Sequence, residues 1–182
     1  MKLRKMIFCA LFAAILCVLA PITLPIGPIP LSLATFIIYL AAALLGWRLG
    51  AVAVLVYILI GAIGLPVFSG FSGGFQKIAG VTGGYIVGYI PCALLTGFFV
   101  QKFKGRVWSY PVGMVIGTIL LYTLGTAWFC FQTGTGLLSA LLICVVPFIL
   151  GDAIKIAAVT AIAPGLRKRV SPKITARSGP NG

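Results

Sequence analysis

Six apolar runs follow one another along the chain, at Met6–Ala20, Leu31–Trp47, Leu49–Leu65, Gly83–Val100, Tyr110–Phe131 and Leu137–Ala163. A helix needs around 20 residues to cross about 30 Å of hydrocarbon, and somewhat fewer where neighbouring protein shields a short end. Pro and Gly clusters separate the runs at Pro21–Pro30 and Gly64–Gly84, and basic residues do so at Lys102–Arg106. Only 8% of the 182 residues are charged. A soluble domain carries about 25%, so this chain cannot cover a globule with water-compatible surface. The expected fold is an all-α integral membrane protein of six transmembrane helices. Residues 1–170 are expected to form one six-helix transmembrane domain, and the polar, breaker-rich residues 171–182 a flexible tail.

The basic residues alternate with the runs. Lys2, Arg4 and Lys5 precede the first; Arg48 separates the second and third; Lys102, Lys104 and Arg106 separate the fourth and fifth; Arg167, Lys168, Arg169, Lys173 and Arg177 follow the sixth. The opposite side carries Lys77 alone, for which the sequence suggests no role. By the positive-inside rule both termini face the cytoplasm of a multi-pass protein in the cell membrane. Bases that hug membrane ends point to anionic lipids as partner, and no aromatic-interleaved basic surface for nucleic acid exists. The basic start and short first run also fit a signal peptide. Pro21 after Ala20 is a poor cleavage context, and Leu16 before Cys17 does not suit a lipoprotein signal, so the first run is read as a mature helix.

With one acid and no histidine, the chain lacks paired carboxylates for acid/base catalysis and the common metal ligand. Cys9, Cys17, Cys92, Cys130 and Cys144 are scattered in apolar sequence with no C-x-x-C and read as small buried hydrophobes. The expectation is therefore no enzyme, no metal and no resident cofactor.

The one acid, Asp152, stands inside the last run three residues before Lys155. Insertion costs about 2.5–3.5 kcal/mol for Asp or Lys at the middle of a membrane helix, so a lipid-facing position is unfavourable. Spacing of i to i+3 puts both on one helix face, which must point into the bundle. Two readings follow: an ion pair that fixes packing, or a ligand site in which the carboxylate accepts ligand N–H groups and the ammonium meets a ligand anion. Pro147 and Gly151, just before the pair, loosen or bend the helix.

The long outward loop Gly64–Tyr85 holds seven glycines, at positions 64, 70, 73, 74, 80, 83 and 84. Phe68, Phe71, Phe75 and Ile78 are interleaved with them and are expected to dip back toward the bundle. Irregular backbone at membrane depth is tolerated where it lines a cavity, which suggests a lid or re-entrant segment rather than a plain turn-rich loop. Glycine there permits φ > 0 and close approach to a ligand. Small residues spaced by four recur at Ala10/Ala14, Ala42/Gly46, Gly84/Gly88 and Gly113/Gly117. They suit close helix packing within the chain, or a docking surface for another membrane subunit.

Several of these stretches resemble the BioY-type S components, the biotin-capturing subunits of energy-coupling-factor (ECF) vitamin transporters. The resemblance is carried by Gly64-Leu65-Pro66-Val67-Phe68, Ser72-Gly73-Gly74, Gly80-Val81-Thr82-Gly83-Gly84-Tyr85 and Pro147-Phe148-x-x-Gly151-Asp152-x-x-Lys155. It covers roughly residues 5 to 170. Val81 stands where the family usually has proline, a change that bears on loop stiffness more than on ligand chemistry. The resemblance implies a vitamin pocket open to the outside, with the ureido ring held by the third loop and Asp152, and the carboxylate near Lys155. The substrate-binding set it suggests is Asp152, Lys155, Tyr85, Thr82, Gly83, Gly73 and Gly74, to which Gln76 is added as the only carboxamide of the loop. Ala10 and Ala14 resemble the face on which S components dock to the transmembrane coupling subunit. No nucleotide-binding motif occurs, so ATP hydrolysis is expected in two separate ATP-binding cassette subunits. Another vitamin, a stand-alone facilitator, or a structural membrane subunit with an Asp152–Lys155 pair are the alternatives.

Overall fold

Glycine marks several of the helix ends in this chain, at Gly46, Gly80 and Gly134. The computed structural model describes residues 2–24, 29 and 31–175. Helix α1 spans Lys2–Leu19, α2 Ala34–Leu45, α3 Trp47–Ala62, α4 Phe75–Ala79, α5 Gly83–Lys102, α6 Ser109–Thr133, α7 Leu137–Cys144 and α8 Val146–Thr175. Between α1 and α2 the strands β1 (Thr23–Leu24) and β2 (Leu31–Ser32) pair antiparallel, with Thr23 opposite Ser32. This ribbon is an addition to the expected all-helical fold.

Gly46 has φ +84° between α2 and α3. That conformation favours glycine, and a Cβ there would also strike the Gln101 side chain. Gly134 ends α6 in the left-handed region, its N–H bonded to the Cys130 carbonyl at 2.9 Å. The last apolar run is not one helix: it divides at Val145 into α7 and α8. Pro147 supplies the cause. It has no N–H to donate to Ile143, and its ring disfavours helical backbone in the residue before it, so the chain restarts with proline in the first turn of α8. Helix α8 then runs through Ser171–Thr175, where the tail was expected to begin, and residues 176–182 lie outside the described ones.

Among the described residues, three helices are long and apolar enough to cross a membrane: Gly83–Lys102, Ser109–Thr133 and the Val146–Arg169 part of α8. Ala34–Leu45 and Trp47–Ala62 are shorter apolar helices. Helix α5 is the centre of the packing, lying along α6 and against α2 and α3, while α1 covers α2 and α3, and α8 packs on α2. Glycine sets the α5–α6 spacing. A Cβ on Gly84 would enter Trp128, one on Gly88 would come 2.9 Å from Leu121, and one on Gly117 would come 3.0 Å from the Cys92 carbonyl. The Gly84/Gly88 and Gly113/Gly117 pairs are thus used within the chain. Ala10 and Ala14 are exposed, with Ala13 buried behind them.

The basic segments gather at one end of the bundle. Cys9 Sγ reaches the Leu49 carbonyl at 3.6 Å, and Arg167 Nη1 donates to the Val100 carbonyl at 3.1 Å. The glycine-rich loop and the β-ribbon lie at the other end, where the Gly70 N–H donates to the Pro21 carbonyl at 3.1 Å.

Candidate functional site

At that second end a pocket opens between α2, α3, α5, α6 and α8, beneath the two loops. Its polar centre is built from the start of α2 and the middle of α8. The Ser32 hydroxyl donates to the Ala20 carbonyl at 2.8 Å and accepts the Ala34 N–H at 2.9 Å, so it serves one of the otherwise unpaired amides that open a helix. This fixes the Ser32 carbonyl toward α8, where Lys155 Nζ donates to it at 2.7 Å. Lys155 also donates to Thr35 Oγ1 at 2.9 Å and to Asp152 Oδ1 at 3.0 Å. An ammonium has three donors, and here all three are engaged.

Asp152 is 5% exposed. Its Oδ1 accepts from Lys155 and, at 3.2 Å, from the Thr35 hydroxyl, and its Oδ2 accepts from the Tyr122 hydroxyl at 2.5 Å. A carboxylate offers about four acceptor sites. Three are occupied, which leaves one, on Oδ2, for a donor in the pocket. The ion pair foreseen from sequence is therefore formed, and it is the floor of a cavity rather than a closed core contact.

Tyrosines make the walls. Tyr57, Tyr85, Tyr89 and Tyr122 all line the pocket. The Tyr85 hydroxyl pairs with Thr126 Oγ1 at 3.2 Å, and its ring occupies the space where a Cβ on Gly125 would fall. Tyr57 meets Phe68 edge to face, with ring centroids 5.6 Å apart. Tyr57 and Tyr89 hydroxyls and Thr82 Oγ1 make no hydrogen bond among the described residues, so the otherwise mainly apolar lining carries free polar groups.

The third loop covers this cavity from above and is fastened at several points. Phe68 and Ser72 bridge antiparallel, and the Gly74 N–H donates to the Gly61 carbonyl at 2.7 Å. From α6, Trp128 Nε1 donates to the Gly80 carbonyl at 2.9 Å, and the Gln132 amide donates to the Ala79 carbonyl. Phe68 is buried and Ile78 partly so, whereas Phe71 and Phe75 are 69% and 70% exposed, against the expectation that all four dip inward. Phe71 sits at the tip of the Phe68–Ser72 turn with φ +55°, and Phe75 opens α4 on its outer side.

Of the residues singled out from sequence, Asp152, Lys155, Tyr85 and Thr82 come together on the pocket, and Lys77 joins them. Gln76 is exposed, its amide against Gly74, and it does not line the pocket. Gly73, Gly74 and Gly83 also lie off the wall. Their reason is the chain's own backbone: a Cβ on Gly73 would meet the Leu65 carbonyl, one on Gly83 the Ile78 carbonyl, and Gly74 has φ +95°. Sequence reasoning missed Ser32, Thr35, Tyr57, Tyr89 and Tyr122. The available signal was isolated hydroxyls in apolar runs, with Tyr85 and Tyr89 spaced i, i+4 on one face.

A second, wider groove of about 730 Å³ runs down the outside of the bundle between α6 and α8, past Val115, Ile119, Ala153 and Ala157. Tyr122 and Asp152 line it as well as the pocket, so their hydrogen bond stands between the two.

Known proteins share this architecture. A solved crystal structure of the S-component for biotin from an ECF-type ABC transporter superposes with a TM-score of 0.85 at 31% identity, covering 92% of each chain. The biotin transporter BioY of Thermotoga maritima is 37% identical over 166 residues, 91% of this chain and 97% of that one. The probable biotin transporter BioY of Pyrococcus horikoshii is 36% identical over 167 residues, 92% and 98% of the two chains. The BioY family pattern matches residues 1–172. On these grounds, the chain belongs to the BioY family.

Proposed function

We propose that the protein is the membrane-embedded S subunit that captures biotin for ATP-driven uptake by an ECF-type transporter. The observation that carries this reading is Asp152 buried in a pocket with one acceptor site open beside four tyrosines. Biotin is a small, mostly apolar bicycle with a urea and one carboxylate. The open lone pair of Asp152 takes a urea N–H, the tyrosine rings pack the bicycle, and the Tyr57, Tyr89 and Thr82 hydroxyls serve the remaining polar atoms. Nothing in this set needs to make or break a bond.

On this reading the chain crosses the membrane six times, with α1, α2, α3, α5 and α6 each a span and α7 with α8 the sixth. The basic end lies in the cytoplasm against anionic lipid, and the pocket opens outward. The exposed Ala10 and Ala14 give a transmembrane coupling subunit close access to α1. Two ATP-binding cassette subunits supply the energy. Titration of the purified protein with biotin, thiamine, riboflavin and pantothenate tests the assignment: biotin binds most tightly, and a preference for any of the others overturns it.

A further inference from the structure

We infer that Lys77, rather than Lys155, recognises the carboxylate of the captured ligand, while Lys155 holds Asp152 in place. The inference rests on the reading of the pocket as a biotin site. Lys155 has the right charge, but its three N–H groups are spent on Ser32, Thr35 and Asp152, at 2.7, 2.9 and 3.0 Å. A ligand acid would have to displace one of them and would face the neighbouring Asp152 carboxylate.

Lys77 is placed differently. It lies on α4 and lines the same pocket from the loop side, away from Asp152 on the floor. Among the described residues its ammonium makes no hydrogen bond or ion pair. Nor can another acidic side chain of the protein neutralise it, because the 14 bases share one acid and Asp152 is engaged with Lys155. The other bases outside α8's pair stand at the opposite end of the bundle or in its terminal segments. Lys77 is therefore the pocket's uncompensated cation. Its backbone is held over the cavity, since the carbonyls of Ala79 and Gly80 just after it are bound by Gln132 and Trp128 of α6. An elongated ligand with a urea at one end and an acid at the other then spans the pocket from Asp152 to Lys77.

The test compares biotin with its carboxamide, which keeps the ring and loses the charge, by equilibrium binding to the full-length protein in detergent. The wild type prefers biotin by about ten- to hundredfold, the scale of a hydrogen bond to a charged group. In Lys77→Gln that preference collapses to near unity with carboxamide affinity kept, and Lys77→Arg restores it. In Lys155→Met both ligands weaken together and the preference survives. Because the preference is a ratio, partial loss of folded protein does not change it. A preference unchanged in Lys77→Gln, or lost in Lys155→Met instead, overturns the inference and leaves the biotin assignment standing. So does a wild type that binds both ligands equally. A wild type that binds neither removes the assignment itself and the inference with it.

Discussion

The indole of Trp128 on α6 donates to the carbonyl of Gly80 at 2.9 Å, across 48 residues of chain. Together with Gln132 it fastens the segment that leads from α4 into α5 and so holds one side of the pocket's cover. Trp128→Phe keeps the ring over Gly84 and removes the donor. The expected result is an intact fold with ligand leaving faster by roughly three- to tenfold, the worth of one hydrogen bond. Stopped-flow dissociation and faster hydrogen exchange at residues 74–82 measure it.

Asp152→Asn leaves the Lys155 ammonium buried without its counter-charge, and breaking such a pair costs about 3–5 kcal/mol. Both thermal stability in detergent and biotin affinity are expected to fall, affinity by more than about a hundredfold. The double variant Asp152→Asn/Lys155→Met removes both charges and recovers much of the stability without recovering binding. Recovery of binding would return the pair to a purely structural role.

Thr35 relays between the charged pair, accepting from Lys155 at 2.9 Å and donating to Asp152 at 3.2 Å. Thr35→Val conserves shape and strands one ammonium N–H, at a cost of about 1–3 kcal/mol. A lower midpoint of unfolding and a biotin affinity reduced about tenfold are the expected outcomes, with Thr35→Ser close to wild type.

Gly125 faces the ring of Tyr85 so closely that a Cβ would come to 2.4 Å from it. Gly125→Ala must push that ring into the pocket or force α5 from α6, an overpacking worth about 1–3 kcal/mol. Weaker ligand binding is expected, and the companion variant Gly125→Ala/Tyr85→Leu, which clears the ring away, restores stability but not affinity.

How much of this was legible differs by residue. Asp152 and Lys155 stood out because an ionised group in an apolar run needs a reason, and the structure supplies it within hydrogen-bond range. Tyr57, Tyr89, Tyr122 and Thr35 did not, since an amphipathic side chain in a span serves equally at an interface, in a helix contact or in a pocket. Only the packing of five helices turns these four inward. Pro147 was visible as a loosening of the last helix, whereas its division into α7 and α8 at Val145 was not foreseen. The loop glycines read as room for a ligand. At Gly73 and Gly83 the room is taken by the chain's own carbonyls, a contact between segments that no local pattern encodes.

The phenol of Tyr122 and the carboxylate of Asp152 belong to the inner pocket and the outer groove at once, so these two side chains form part of the septum between the cavities. The far face of that septum is washed by acyl chains if α6 and α8 stand in a bilayer. On the proposed membrane arrangement, the side chain that orients the carboxylate also parts the polar chamber from lipid. Position 122 is where ligand recognition and membrane leakproofing compete for a single residue: a smaller side chain there would open a sideways port at the depth of the binding site.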